Sequence, residues 1–475
     1  MSKICRPLKL RLCPGRKPDL VTAEPTAAPS SRKPLLVIFV TVFIDLLGFG
    51  IVMPLLPRYG EHFIPVDSTL THAAQSLPPS AAPGYVAAIL SALAFLYGLR
   101  GLPESLKQGA SPRTRPGLFS FMAGLRAMTR GSHALILATI FLTTFAFTQF
   151  ESTLSLLTRH MGGAVATEPE LTTSTASAVV QTAHDWKRGA ILGCLMASFS
   201  VMQFLFAPLW GRLSDRIGRR PVLLIGLGGS TISYFLFAVV TQLGNNGPIL
   251  GLNPLVWLFV TRIGAGISGA TIPTAQAYIA DCTDEKSRGK GMALIGAAFG
   301  IGFTFGPLLG AAFVSGETRA GMSDRGNFLV FAYVGFILTL SQGILVRRLI
   351  PRLGEFRMGL AGVILMTLGL LLIGVASFQA SIPILIAVLP VVVIGYSAAT
   401  PSLLSLLSLT SGADEQGELL GIGQSMSSLA RILGPLAGLS LQGLEIAYPY
   451  WFASALMAVG VLMVCGLRRV VARSK

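Results

Sequence analysis

Three ionisable residues stand inside stretches that are otherwise hydrocarbon-like. They are Asp45 in Ile44-Asp-Leu-Leu-Gly-Phe-Gly-Ile-Val-Met-Pro-Leu-Leu-Pro57, Arg262 in Arg262-Ile-Gly-Ala-Gly-Ile-Ser-Gly269, and Glu151 in Phe145-Ala-Phe-Thr-Gln-Phe-Glu-Ser-Thr153. A charge placed in hydrocarbon is costly, so each is either paired for packing or kept for a function such as proton relay. Burial favours the protonated form of a carboxylate and a nearby arginine favours the ionised form, so a change of surroundings can load or release a proton. Asp45, Arg262 and Glu151 are therefore the candidates for proton coupling, with quiet structural pairing as the alternative. A second constellation is Gly211-Arg-Leu-Ser-Asp-Arg-Ile-Gly-Arg-Arg220, a dense block of charge between two apolar runs. Gly211 and Gly218 permit a sharp turn, and Asp215 is the one acid among four arginines, of which Arg216, Arg219 and Arg220 follow it.

The elements that must position these residues follow from composition. Of 475 residues, 52% are hydrophobic and only 12% are charged, too apolar a balance for a soluble domain. Apolar runs of about 20 residues, the length that crosses a bilayer as a helix, recur about twelve times. Their approximate limits are 34–57, 85–102, 134–157, 191–210, 221–243, 255–280, 291–314, 328–346, 358–378, 382–409, 419–444 and 448–467. The chain reads as an all-α polytopic membrane protein. Its net charge of +16 falls on alternate loops, which by the positive-inside rule places both termini and the basic loops in the cytoplasm. That placement removes the nucleic-acid reading that a basic soluble protein would invite. The weak cytoplasmic loop is 411–418, with Asp414, Glu415 and Glu418 and no base.

Cys5, Cys13, Cys194, Cys282 and Cys465 are scattered, with neither a disulfide framework nor a metal site in their spacing. The chain also lacks a phosphate-cradling Gly-x-x-x-x-Gly-Lys-Ser/Thr string, so direct use of ATP is not expected. Residues 1–33 read as a basic, disordered tail without the apolar core of a signal peptide. Gly302, Gly306 and Gly310 recur every four residues and form one small-residue ridge for a close helix crossing, with Pro307 beside it.

The block 211–220 resembles the loop signature of the major facilitator superfamily in the form shared by drug:proton antiporters. Asp45 followed by Gly-x-Gly and Pro-x-x-Pro is similar to the first-helix signature of the drug:proton antiporter-1 branch, which includes tetracycline efflux proteins. Arg262 with Gly266 resembles the family's fourth-helix motif, and Gly302, Gly306, Pro307 and Gly310 its fifth-helix antiporter signature. The resemblance implies two six-helix bundles that rock about a midplane site. It also implies a switch formed by Asp215 and its arginines, and the proton gradient rather than a cofactor as energy source. The worn copy of the switch loop at 343–354 has no acid equivalent to Asp215.

Helix order departs from the family. Phe95-Leu-Tyr-Gly-Leu-Arg-Gly-Leu-Pro-Glu-Ser105 resembles the end of the sixth helix and 145–153 the seventh, yet both precede the switch loop. An internal repeat points the same way: Asp284-Glu with Gly306-Pro-Leu-Leu-Gly310 is echoed by Asp414-Glu with Gly434-Pro-Leu-Ala-Gly438. These copies lie four spans apart where parallel six-helix halves require six. A two-helix block, roughly 76–163, moved from between 314 and 328 accounts for both. It contains an even number of spans, so the other helices keep their orientation.

The expected organisation is a first bundle of 34–58, 84–103 and 190–315, a basic loop at 104–133, a second bundle of 134–160 and 325–467, and a tail at 468–475. Gln149, Gln276, Tyr278, Gln342, Tyr396, Gln424 and Arg431 are the polar groups expected at a substrate cavity or between the bundles, though each is as readily structural. The expected activity is efflux of a small apolar or cationic compound in exchange for protons, by a monomer in a bacterial inner membrane. Transport of a metabolite or sugar is one alternative, and a non-transporting receptor or inactive rearranged chain is another. No nucleophile–base pair stands out for an enzyme.

Overall fold

The computed structural model describes residues 32–52, 56–64, 80–105, 132–161, 175–284, 287–311, 324–379, 381–410, 416–442 and 444–473. The first tail, through residue 31, and most of the basic loop at 104–133 lie outside the described residues. In chain order the helices are α1 (Arg32–Val52), α2 (Leu56–Phe63), α3 (Ala82–Gly101), α4 (Ser132–Met161), α5 (Thr175–Ile217) and α6 (Arg219–Gly244). They continue as α7 (Pro254–Gly269), α8 (Ile272–Asp281), α9 (Arg288–Ala311), α10 (Asp324–Leu340), a π-helical segment (Ser341–Val346) and α11 (Arg347–Leu353). The last are α12 (Glu355–Ala376), α13 (Ile382–Leu409), α14 (Gln416–Gln442) and α15 (Tyr448–Arg473).

Local chemistry sets several of these boundaries. Asn253 accepts a hydrogen bond from the Leu255 amide at 2.7 Å with Pro254 in the first turn, a standard way to start α7. Gly218 separates α5 from α6 at φ +107°, a conformation that a residue with a Cβ adopts only under strain. Ten helices among the described residues are long and apolar enough to cross a membrane, and the glycine-rich α9 and α14, expected as two further spans, are helical over 24 and 27 residues. The chain is an integral, multi-pass, all-helical membrane protein. Two boundaries differ from expectation. Helix α5 starts at Thr175 rather than near 190, and α15 runs to Arg473 through the expected tail. Apolarity marks only the part of a helix that crosses lipid, and backbone hydrogen bonding continues beyond it.

Packing divides the helices in a way that chain order hides. Helix α3 packs against α1 and α6, while α4, the next long helix, packs against α13, α14 and α15. The first set, α1, α3 and α5 to α9, is knit by contacts of α1 with α9, α6 with α7 and α5 with α7. The second, α4 and α10 to α15, is knit by contacts of α12 with α13 and α15. The two sets meet where α5 and α8 touch α14, and where α9 touches α10 and α13.

Glycine makes the tightest crossings possible. A Cβ at Gly50 of α1 would stand 2.6 Å from the Gly302 carbonyl oxygen, and one at Gly306 would stand 2.5 Å from the Gly50 carbonyl carbon. The obstacles are backbone atoms, which cannot swing aside. Gly302 and Gly306 therefore act as the ridge read from sequence, while the surroundings of Pro307 and Gly310, further along α9, fall outside the described residues. Gly50→Val is expected to lower stability by about 1–3 kcal/mol through overpacking, seen as a fall in the thermal midpoint of the detergent-solubilised protein. Gly193→Ala, whose Cβ would meet nothing within 4 Å, should leave that midpoint unchanged.

Candidate functional site: a latch between bundles and a buried charge path

One end of the molecule carries the basic turns, and there the bundles are tied by charge. The α5–α6 turn brings Asp215 against the start of α14, where its two carboxylate oxygens accept hydrogen bonds from the Gly417 amide (3.1 Å) and the Glu418 amide (2.9 Å). The first amides of a helix have no partner within the helix, and its dipole favours an anion at that end. Asp215 also pairs with Arg219 of its own turn, and Arg212 pairs with Glu418 across the interface. Helix α5 can approach α14 so closely because both contact residues are glycines. A Cβ on Gly211 would overlap the Gly417 carbonyl, and one on Gly417 would overlap the Gly211 carbonyl.

Behind the latch stand two more acids. Arg219, fully buried, donates through Nε to Asp281 at the end of α8 at 3.1 Å and through Nη1 to Ser214 at 2.8 Å. Glu104, just past α3, accepts from the Arg219 amide at 2.9 Å and the Arg220 amide at 3.1 Å, and Ser105 donates to Asp281 at 3.0 Å. Arg220 further donates to the Leu99 carbonyl at 2.8 Å, whereas Arg216 is exposed. The end of α3 thus clamps the start of α6 and fixes the turn that presents Asp215. Glu104→Ala is expected to destabilise the protein by about 1–2 kcal/mol, the usual worth of a lost helix cap, read as a lower thermal midpoint. The exposed acid substitution Glu445→Ala should have no such effect.

The intramembrane charges are arranged differently from an Asp–Arg pair. Asp45 on α1 accepts a hydrogen bond from Ser91 of α3 at 2.8 Å, with Ser230 of α6 beside it. Arg262 on α7 is buried and its guanidinium lies over the Phe199 ring, 4.9 Å from the centroid, a favourable place for a cation. Tyr234 of α6, also buried, lies within electrostatic reach of both Asp45 and Arg262. Tyr234 is thus near both charges.

A second polar cluster straddles the interface. Arg431 of α14 donates to Gln203 of α5 at 2.7 Å and to Ser428 at 2.8 Å. The carboxylate of Glu151 on α4 and the phenol of Tyr396 on α13 both feel the Arg431 charge. The Tyr396 ring stacks on Phe147 with centroids 3.9 Å apart. This cluster can present a cation, a carboxylate and an aromatic face to one solute. Contacts of α5 with α14 run from Gly211 and Gly417 through Gly421 and Ala207, and through a Ser425 hydroxyl bond to the Phe204 carbonyl at 2.7 Å, up to Arg431.

Other residues expected at a cavity are used for packing. Gln149 is fully buried and donates to the Pro449 carbonyl at 2.7 Å, tying α4 to α15 within one bundle. Tyr278 is enclosed in a cluster with Ile38, Leu102, Leu223 and Ile295. Gln276 is buried on α8 and Gln424 on α14. Gln342 is buried in the π-helical segment and occupies the space that a side chain on Gly296 of α9 would need. Sequence reasoning missed Glu104, Asp281, Ser91, Gln203 and Tyr234 as partners. Of these only Glu104 had a signal, its place in the Leu-Pro-Glu-Ser phrase.

The chain thus forms two helical bundles tied at one end by charge and helix-dipole contacts, with Asp45, Arg262, Glu151 and Arg431 on its membrane-length helices. Residues 170–352 match the Major Facilitator Superfamily. Over 119 residues the chain is 46% identical to the tetracycline resistance protein, class C, of Escherichia coli, a stretch that covers 25% of this chain and 27% of that protein. It is 39% identical over 120 residues to the human major facilitator superfamily domain-containing protein 10, covering 25% of this chain and 24% of the relative. The matched stretches thus span about a quarter of each relative's length. Among solved structures, the human organic anion transporter MFSD10 (TETRAN) superposes with a TM-score of 0.57 at 20% identity, over 92% of this chain and 100% of that one. The family model thus matches residues 170–352, and the fold of the described chain is similar to that of the human transporter.

Proposed function

We propose that the protein is a secondary active transporter that exports small amphipathic compounds in exchange for protons by rocking its two bundles. The observation that carries this reading is the latch. Asp215 and Arg212 of one bundle engage the first turn of α14 in the other, a contact that can release as a unit without unfolding either bundle. Alternating access of this kind needs a closed end that opens when the opposite end closes. The basic loops place the latched end in the cytoplasm, so the latched conformation is closed to that side. Asp45 is the coupling carboxylate, its proton traded through the Tyr234 hydroxyl as the surroundings of Arg262 change, and the proton gradient is the energy source. The matched tetracycline resistance proteins support a drug-like substrate, and we take a monomer in a bacterial inner membrane as the working unit.

Arg431 favours a second reading for the substrate, an organic anion, since an arginine fork suits a carboxylate. The likeness of the fold to that of a human organic anion transporter is consistent with it. Competition distinguishes the two. Protein in proteoliposomes is given a labelled tetracycline together with unlabelled lipophilic cations or aromatic carboxylates. Inhibition by the cations supports the first reading, and inhibition by the carboxylates, lost in Arg431→Gln, supports the second.

A further inference from the structure

A cleft of about 300 Å³ opens at the basic end where α9 meets the π-helical segment, lined by Lys290, Gly343, Ile344, Arg347 and Arg348. Its two walls belong to different bundles. Lys290 comes from α9, which packs on α1, and the other four residues come from the π-helical segment and α11, which continues into α12. Among the described residues none of the three cations is in an ion pair. Three positive charges converging on one cleft repel each other unless an anion lies between them. An exposed apolar face adjoins the cleft. Ile344 is 48% exposed, and Leu340 and Phe336 continue the exposed apolar face one turn at a time toward the membrane interior. A polar, cationic head position followed by an apolar trough is the complement of an amphiphile.

We propose that this cleft binds an anionic phospholipid of the leaflet at the basic end, its phosphate held by Lys290, Arg347 and Arg348 and an acyl chain lying along Ile344, Leu340 and Phe336. Basic pockets between membrane helices suit such headgroups, and each basic side chain near the surface contributes about a five-fold gain in affinity for an anionic lipid. The π-helical turn contributes Gly343 and Ile344 to the cleft. A π turn widens the helix and shifts the residues after it around the axis, and here Arg347 and Arg348 are the residues that follow. The bound lipid bridges α9 and α11 and so joins the bundles at a place remote from the Asp215 latch. The assignment needs only that the chain sits in a bilayer and is independent of what it transports.

The test is native mass spectrometry of the full chain in detergent, titrated with phosphatidylglycerol, phosphatidylcholine or inorganic phosphate. The wild type is expected to retain one phosphatidylglycerol in preference to phosphatidylcholine. Arg347→Gln/Arg348→Gln should bind it about thirty-fold more weakly, while Arg352→Gln/Arg357→Gln, which removes the same charge from the same end outside the cleft, should bind as the wild type does. Arg347→Lys/Arg348→Lys keeps the charge and should retain the lipid, which separates lost binding from a damaged fold. Equal weakening by the two glutamine pairs, or no weakening by either, would overturn the site. Displacement of phosphatidylglycerol by millimolar inorganic phosphate would overturn the lipid assignment and make the cleft a site for a soluble anion.

Discussion

Replacing Asp215 with alanine is expected to shift the resting conformation from closed to open at the basic end by a factor of about a hundred or more. Three interactions go together: the bonds to the Gly417 and Glu418 amides and the pair with Arg219. Arg219 remains buried, with its guanidinium still paired to Asp281. The pair with Arg219 lies within one turn and is lost from both states, but the two bonds from the α14 amides to a charged group, about 1.5–3 kcal/mol each, exist only while the bundles are in contact. Their loss therefore falls on the closed state and not on the open one. A cysteine at Ser425, buried against the Phe204 carbonyl, reports the change in a background without native cysteines. It should react slowly with a hydrophilic thiol reagent in the latched protein and at least about tenfold faster with Asp215→Ala. Equal rates would mean that the latch does not set the conformation. Gly211→Val should act in the same direction by a different route, since its side chain would occupy the place of the Gly417 carbonyl.

The second large effect is expected at Asp45. The Asp45→Asn substitution keeps the size of the side chain and an acceptor for Ser91, but the amide cannot bind and release a proton. Substrate accumulation against a gradient should fall at least about tenfold, while exchange of labelled for unlabelled substrate, which needs rocking but no net proton movement, should persist. Tyr234→Phe removes the hydroxyl near Asp45 and Arg262 and should slow the driven reaction without abolishing exchange. Loss of exchange together with accumulation would make Asp45 a structural or substrate-binding residue.

How far the sequence exposes this arrangement depends on the distance over which each contact forms. The switch loop is legible because all its parts lie between Gly211 and Arg220, and its glycines, acid and arginines have local reasons for their spacing. The receptors are not legible. Glu418 lies 206 residues from Arg212, in a loop that reads only as one lacking positive charge, and Glu104 lies 115 residues from Arg219. An acid at a helix end looks the same from sequence whether it caps a neighbouring helix or faces water. The unusual helix order is readable from the spacing of the repeated Gly-Pro-Leu strings, and α3 and α4 do pack in different bundles. Polar residues on apolar helices are the hardest to place. Gln149, read as a cavity residue, ties α4 to α15, because a glutamine that bonds a carbonyl inside a bundle has the same sequence context as one that meets a solute. The close fit of Gln342 in the π-helical segment against Gly296 of α9 is likewise a contact between distant parts of the chain.

Coupled export is read most directly from proton movement in proteoliposomes, followed with a pH-sensitive dye as a panel of tetracyclines, lipophilic cations and aromatic carboxylates is added. A substrate-dependent proton flux is expected in the wild type and none in Asp45→Asn protein of equal thermal stability. A flux of the same size in both proteins would contradict the role of Asp45, and substrate movement without any proton flux in the wild type would contradict coupled export itself.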